Sequence, residues 1–188
     1  MAEKTIEWQI ADHIREIIRL IGEDPDREGL VKTPIRSAKA LLYAVKGYGQ
    51  TADDVVKNAV FSHDGSGMVM VKDIEFYSLC EHHILPFFGH VSIAYMPKGK
   101  VIGISKLARL TDMLAHRLQL QERLTLEIAK EVSRAVGSDD VMVACTAGHM
   151  CMKMRGVEKQ DSMTVTVETL GAFAHDKSLQ ERFFNFCK

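Results

Sequence analysis

From Met68 onward the spacing of apolar residues changes from that of a helix to that of a strand, and then alternates between the two. No other feature limits the fold as much. Before the change, Ile6, Ile10, Ile14, Ile17, Ile18 and Ile21 recur at helical spacing, and Gly22 supplies a stop. After a charged turn over 23–29, Thr33-Pro34 reads as N-cap and first helical residue of a second helix reaching Gly47. Segments 68–75 and 87–96 are rich in Val, Ile, Phe and Tyr, and a turn at 97–100 leads into Val101 and Ile102. Ser105 reads as the N-cap of a helix through Leu107, Leu110 and Leu114, and 121–135 reads as another, with Gly137 past its end. Strand composition returns over 141–146 and 163–170, and 178–186 is expected to be helical. Two strands, two helices and two strands after a helical prelude predict an α+β fold. Its antiparallel sheet should carry the helix pair on one face.

The chain of 188 residues is long enough to bury about 70% of the surface its unfolded form exposes. With 24 Lys and Arg against 25 Asp and Glu, the net charge is −1, which argues against a general binder of nucleic acid or of anionic membranes. No apolar run approaches the roughly 18–20 residues of a membrane span, and the opening Met1-Ala2-Glu3-Lys4 is too polar for a signal peptide. A cytoplasmic location is therefore expected. In that reducing setting Cys80, Cys145, Cys151 and Cys187 read better as metal ligands or buried thiols than as disulfides. Gly47-x-Gly49 follows a helix and not a strand, so it is not read as a nucleotide loop.

The densest chemistry is Cys80-Glu81-His82-His83, with His149-Met150-Cys151 far downstream. Cys80 and His83 have the C-x-x-H spacing that lets one turn present sulfur and imidazole to the same ion, and Cys151 offers a third donor. Two thiolates and an imidazole suit zinc, and three protein ligands leave a fourth position for water. The competing reading is two buried thiols and two surface histidines. Zinc lowers the pKa of bound water to about 7, and His82 and His149 beside it are expected to move protons. The alternative for either histidine is a fourth ligand or a prop for the others. Ser105, Lys106 and Arg109 open one helix, and Arg155 follows Cys151; with Arg36 and Lys39 these are candidates for an anionic phosphate group or simply solvated charges. Gln121-Glu122 starts the next helix, where capping alone explains a carboxylate.

Taken together, Cys80-Glu81-His82-His83, Gly103-Ile104-Ser105-Lys106-Leu107, the run from Gln119 to Thr125 and the run from His149 to Val157 resemble the GTP cyclohydrolase I family in order and spacing. The resemblance begins near Arg27, includes Lys32-Thr33-Pro34-x-Arg36 and extends almost to the C-terminus. It implies a tunnelling fold over 59–188 after an N-terminal helical segment over 1–58. It also implies a toroidal homodecamer with sites between subunits, and conversion of GTP and water to 7,8-dihydroneopterin triphosphate and formate. By matching position, Cys80, His83 and Cys151 would hold zinc and His82 and His149 would form the acid/base pair. Ser105, Lys106, Arg109, Arg155, Arg36 and Lys39 would hold the triphosphate. Glu122, with Gln121, would bind the guanine edge. The implied order is attack of water at C8 with protonation of N7, ring opening, loss of formate, then opening and reclosure of the ribose. The chain departs from the family pattern at Thr146, Met163 and Glu168, none of them a proposed ligand or acid/base group. Two other readings stand beside this one: a relative that opens the ring but releases another product, and a non-catalytic, zinc-stabilised assembly protein.

Overall fold

The computed structural model describes residues 4–188. Met1, Ala2 and Glu3, which entered the reading of the N-terminus, lie outside the described residues. The chain forms two compact units, Met1–Lys46 and Gly47–Lys188. The two units divide at 46/47, earlier in the chain than the 58/59 division expected from sequence, and Ala52 and Val56 of a short helix join the core of the second unit.

The first unit is a helix pair, α1 (Ile6–Leu20) and α2 (Thr33–Ala44). Ala11 and Ile18 of α1 and Pro34 and Ala38 of α2 are buried. Ile6, Ile17 and Ile21 are exposed, so only part of the isoleucine pattern is covered within the described residues. Gly22 takes φ +90°, the left-handed stop expected of it. Thr33 is the first helical residue and Lys32 the cap, one position off the sequence reading. No helix among the described residues is long and apolar enough to cross a membrane.

The second unit begins with α3 (Ala52–Val56), capped by a reciprocal Thr51–Asp54 box. There follow β1 (Val60–Ser62), β2 (Val69–Cys80), β3 (Pro86–Tyr95), β4 (Lys100–Ile102), α4 (Ile104–Ala115), β5 (Leu118–Gln119), α5 (Gln121–Val136), β6 (Val141–His149), α6 (Met150–Lys153), β7 (Thr164–Thr169) and α7 (Lys177–Cys187). The main sheet runs β5-β2-β3-β6-β7, and β1 pairs with β4 separately. Pairings among β2, β3, β6 and β7 are antiparallel, but β5 lies parallel to β2. The fold is α+β, with α4 and α5 on one sheet face as expected. Phe76, Phe87, Val91, Ile93, Tyr95, Val141 and Val143 meet Leu107, Leu110, Leu124, Ile128 and Val132 in one core. A smaller cluster of Ala94, Met142, Phe173 and Phe183 covers one end of the opposite face, where α7 is seated. The rest of that face is open, with Tyr77, Phe88, Val165 and Val167 exposed.

Gly89 shows why one position of β3 has no side chain. A Cβ there would stand 1.9 Å from the Thr146 carbonyl oxygen and 2.7 Å from Ala147 Cα, both backbone atoms of β6. Neither can yield without opening the β3–β6 ladder that carries His149. Gly89→Ala is expected to lower stability by about 3 kcal/mol, the upper end for overpacking, read as a lower urea midpoint. An unchanged midpoint would mean that the ladder is not held at that spacing.

Candidate metal and substrate site

β2 ends at Cys80 and β3 begins at Pro86, so the intervening residues must reverse the chain at once. Cys80 O accepts from His83 N (3.3 Å) and Ile84 N (2.8 Å), while Cys80 N donates to Leu85 O (2.8 Å). Ile84 closes this turn at φ +55°, a conformation that costs a β-branched residue about 1–3 kcal/mol. The turn sets Cys80 Sγ 3.9 Å from His83 Nδ1. The start of β3 pairs with the end of β6, Phe87 opposite His149, so the chain leaving β6 delivers Cys151 on α6 to the same place. The donor atoms of Cys80, His83 and Cys151 lie within 4.8 Å of one another. All four cysteines are free, and Cys80 is buried, Cys151 half-buried and His83 exposed.

Two sulfurs and one imidazole form a soft, borderline donor set that fits zinc, and three protein donors are the complement of sites that keep a fourth position for water or substrate. Burial and the neighbouring Cys80 sulfur push the Cys151 thiol up from its ordinary value. A divalent cation reverses that balance, because a coordinating thiol gives up its proton. Cys145 is different in kind: it is fully buried beside Thr125 and Thr166, and burial pushes its thiol up to about 12. It belongs to the core.

Around the donor group the structure collects several of the residues expected from sequence. Arg155 Nη1 lies 3.3 Å from His83 Nε2 and donates to Cys151 O at 3.3 Å. His82 is exposed, its ring edge-on to that of His83 with centroids 6.1 Å apart. The His149 ring stacks on Phe87, centroids 4.6 Å apart and nearly parallel, and its Nε2 meets Gln121 Oε1 at 2.8 Å. Burial lowers the His149 pKa from its ordinary value, and the nearby Glu122 carboxylate opposes that shift. Three consecutive residues at the start of α5 take three directions. Gln121 turns into the core, and Glu122 is exposed with no hydrogen bond or ion pair among the described residues. Arg123 reaches Glu81 Oε2 (2.5 Å), Gln119 Oε1 (2.8 Å) and Leu118 O (2.8 Å).

Sequence reading gave no role to Glu81, Gln119 or Arg123. Glu81 N donates to Gln119 O (3.1 Å), so β5 and α5 together strap the Cys80–His83 turn. An acidic residue between two ligands and an arginine opening a helix were the available signal.

Ser105, Lys106 and Arg109 make no hydrogen bond to the donor group among the described residues. Gly103 caps α4, so Ser105 lies inside the helix and is not its cap. Lys106 Nζ donates to Val55 O at 2.8 Å, while Ser105 and Arg109 are exposed. Arg36 and Lys39 are exposed on α2, in the first unit. Of the departures from the family pattern, Thr146 pairs with His90 and Val165 and points to the sheet face away from Cys145, and Glu168 pairs with Val143. Met163 Sδ lies 3.9 Å from Lys153 Nζ.

The model of the family described as GTP cyclohydrolase I matches residues 10–188. A Pseudomonas aeruginosa protein named GTP cyclohydrolase 1 1 is 52% identical over 174 residues, covering 93% of this chain and 94% of that protein. The GTP cyclohydrolase 1 of Drosophila melanogaster is 51% identical over 176 residues, covering 94% of this chain and 54% of that protein. Among solved structures, an archaeosine synthase QueF-Like in the apo form is similar at a TM-score of 0.47 and 22% identity, over 57% of this chain and 97% of that one. With one family matched from residue 10 to the C-terminus and about half of its residues shared with those two relatives, the chain belongs to the GTP cyclohydrolase I family.

Proposed function

We propose that this chain hydrolyses and rearranges GTP to 7,8-dihydroneopterin triphosphate and formate, the first step of pterin and folate biosynthesis, with zinc held by Cys80, His83 and Cys151. The observation that carries this reading is the convergence of those three donors within 4.8 Å, with Arg155 and His82 beside them. When bound, zinc supplies Lewis acidity that makes water a nucleophile at neutral pH. Everything else falls to the chain's own side chains. His149, held between Phe87 and Gln121, and His82, exposed next to His83, hold and move protons: one onto N7 as the imidazole ring opens, others as the ribose opens and recloses. Glu122, whose carboxylate has no hydrogen bond or ion pair among the described residues, accepts from the guanine edge. Arg155 meets the triphosphate from the side of the metal ligands, and Lys106, Arg109 and Ser105 meet it from the start of α4, where helix N–H groups favour an anion. Arg36 and Lys39, exposed on α2, are further phosphate candidates by resemblance to the family. Assembly as a homodecamer with sites between subunits is supported by the open sheet face, on which Tyr77 and Phe88 stack on each other and Val165 and Val167 remain exposed.

Incubating zinc-loaded protein with GTP and weighing the products by mass spectrometry tests the reaction. Formate with dihydroneopterin triphosphate supports it. A ring-opened formamidopyrimidine as final product would instead make the chain a relative with a different end point. No formate and no ring-opened product would leave an assembly role.

The phosphate assignment makes its own prediction. Lys106→Ala and Arg155→Ala are expected to weaken GTP binding at least about tenfold while changing guanosine binding little, since the partners lost are phosphate oxygens. Titration calorimetry with both ligands decides. Equal losses would give these residues a structural role.

A further inference from the structure

The amide nitrogen of Gln121 has no hydrogen left for a ligand. The residue is 1% exposed, and its Nε2 donates to Cys145 O (3.1 Å), Thr164 O (3.1 Å) and Thr166 Oγ1 (3.2 Å). Two of these partners are carbonyl oxygens, which only accept, so the amide cannot be turned over. The reverse orientation would press oxygen against oxygen in the core and leave buried acceptors unpaired. The third partner fits the same arrangement: Thr125 donates to Gln121 O (2.7 Å), and Thr166 and Thr125 hydroxyls meet at 2.6 Å. Thr166 therefore gives its hydrogen to Thr125 and accepts from Gln121. With the NH₂ end fixed, Oε1 is the end that faces His149 Nε2, 2.8 Å away. An amide oxygen only accepts, so Nε2 must carry the hydrogen. Stacking on Phe87 holds the ring plane while this bond holds its edge.

We propose that Gln121 is a positioning residue acting through His149: it selects the Nε2–H form of the ring and leaves Nδ1 as the nitrogen offered to substrate. This rests on the acid/base role proposed above for His149, and it replaces guanine contact as the work of the Gln121 side chain. The adjacent Glu122 is left alone to meet the base. The logic is that of any imidazole whose far nitrogen is tied to a fixed acceptor, which sets tautomer and aim together.

The test uses zinc-loaded protein labelled with ¹⁵N,¹³C-histidine and magic-angle-spinning NMR at one neutral pH, with the His149 signal identified by its loss in His149→Ala. The expected spectrum is that of the Nε2–H tautomer; an Nδ1–H tautomer overturns the proposal. In Gln121→Met, which keeps length but offers no acceptor, the tautomer preference should be lost. Its kcat on GTP should fall by on the order of 10²-fold, within the range of a displaced acid/base group. KM should stay within about threefold, the signature of an interaction outside ground-state binding. A large rise in KM with kcat retained is the result of a lost guanine contact and overturns the proposal, as does a variant unchanged in both constants. If Gln121→Met does not fold, the spectrum of the unmodified protein still decides. If the unmodified protein releases no formate from GTP, the reaction is wrong while the tautomer remains measured.

Discussion

Cys151→Ser is expected to remove bound zinc and formate release together. A neutral hydroxyl is a poor zinc ligand beside a thiolate, and the remaining Cys80–His83 pair holds only two donors. Loss of a direct ligand should exceed the roughly 10–100-fold drop in affinity that follows loss of an outer partner. The fold should survive, because Cys151 is half-buried on a four-residue helix and packs against the edge of the main core without being one of its buried members. Zinc measured by mass spectrometry of the metal, circular dichroism and formate release on one preparation separate the cases. Full activity in a zinc-free Cys151→Ser protein would remove the metal from this site. Loss of zinc with activity retained in the presence of another divalent cation would change the metal and make the Cys151 sulfur dispensable as a donor.

Glu122→Ala is expected to abolish the choice of guanine. The Watson–Crick edge of guanine offers two adjacent donors, N1–H and the exocyclic amine, and one carboxylate accepts both. Adenine offers a bare acceptor there, so lone pair would face lone pair. A site built to pair polar groups rejects an analogue that leaves them unpaired by about 10⁴–10⁵-fold in favourable cases. Glu122 is exposed and unpaired within the described residues, which leaves both carboxylate oxygens for a ligand. Glu122→Gln keeps the size but turns half of the acceptor pair into a donor, and should also damage GTP turnover with zinc still bound. Comparing kcat/KM for GTP and inosine triphosphate, which lacks the exocyclic amine, measures the effect. A Glu122→Ala protein that discriminates those two nucleotides as strongly as the parent, with only a lower melting temperature, would reduce Glu122 to a charge at a helix start.

The sequence by itself determined the elements whose signal is local. Burial of one helix stripe imposes a period near 3.6, so α4 and α5 were legible from Leu107, Leu110, Leu114, Leu124, Ile128 and Val132. Gly137 was legible as a stop because the left-handed turn it makes, φ +65°, suits glycine above other residues. Cys80 and His83 were legible because three residues of chain dictate their proximity. Where local signals compete, boundaries slipped by a residue or two, as at Ser105 and Thr33. β1, β4 and β5 carry two or three residues each, too few to show a period, and only partners distant in sequence make them strands.

Tertiary structure alone decided which residues meet. Cys151 reaches Cys80 and His83 because the β3–β6 register sets Phe87 opposite His149; a slip of one residue would turn the His149 side chain to the other sheet face. Arg123 reaches Glu81 because β5 lies parallel to the end of β2. Gln121 is the clearest case. In the sequence it is a polar residue opening a helix, the place where a side chain is ordinarily free for solvent or ligand. In the fold β6 and β7 pass beneath that helix and present Cys145 O, Thr164 O and Thr166 Oγ1 to its amide. A hydrogen-bonding group has no assignment until its partners are in place, and these partners come from strands more than twenty residues away along the chain.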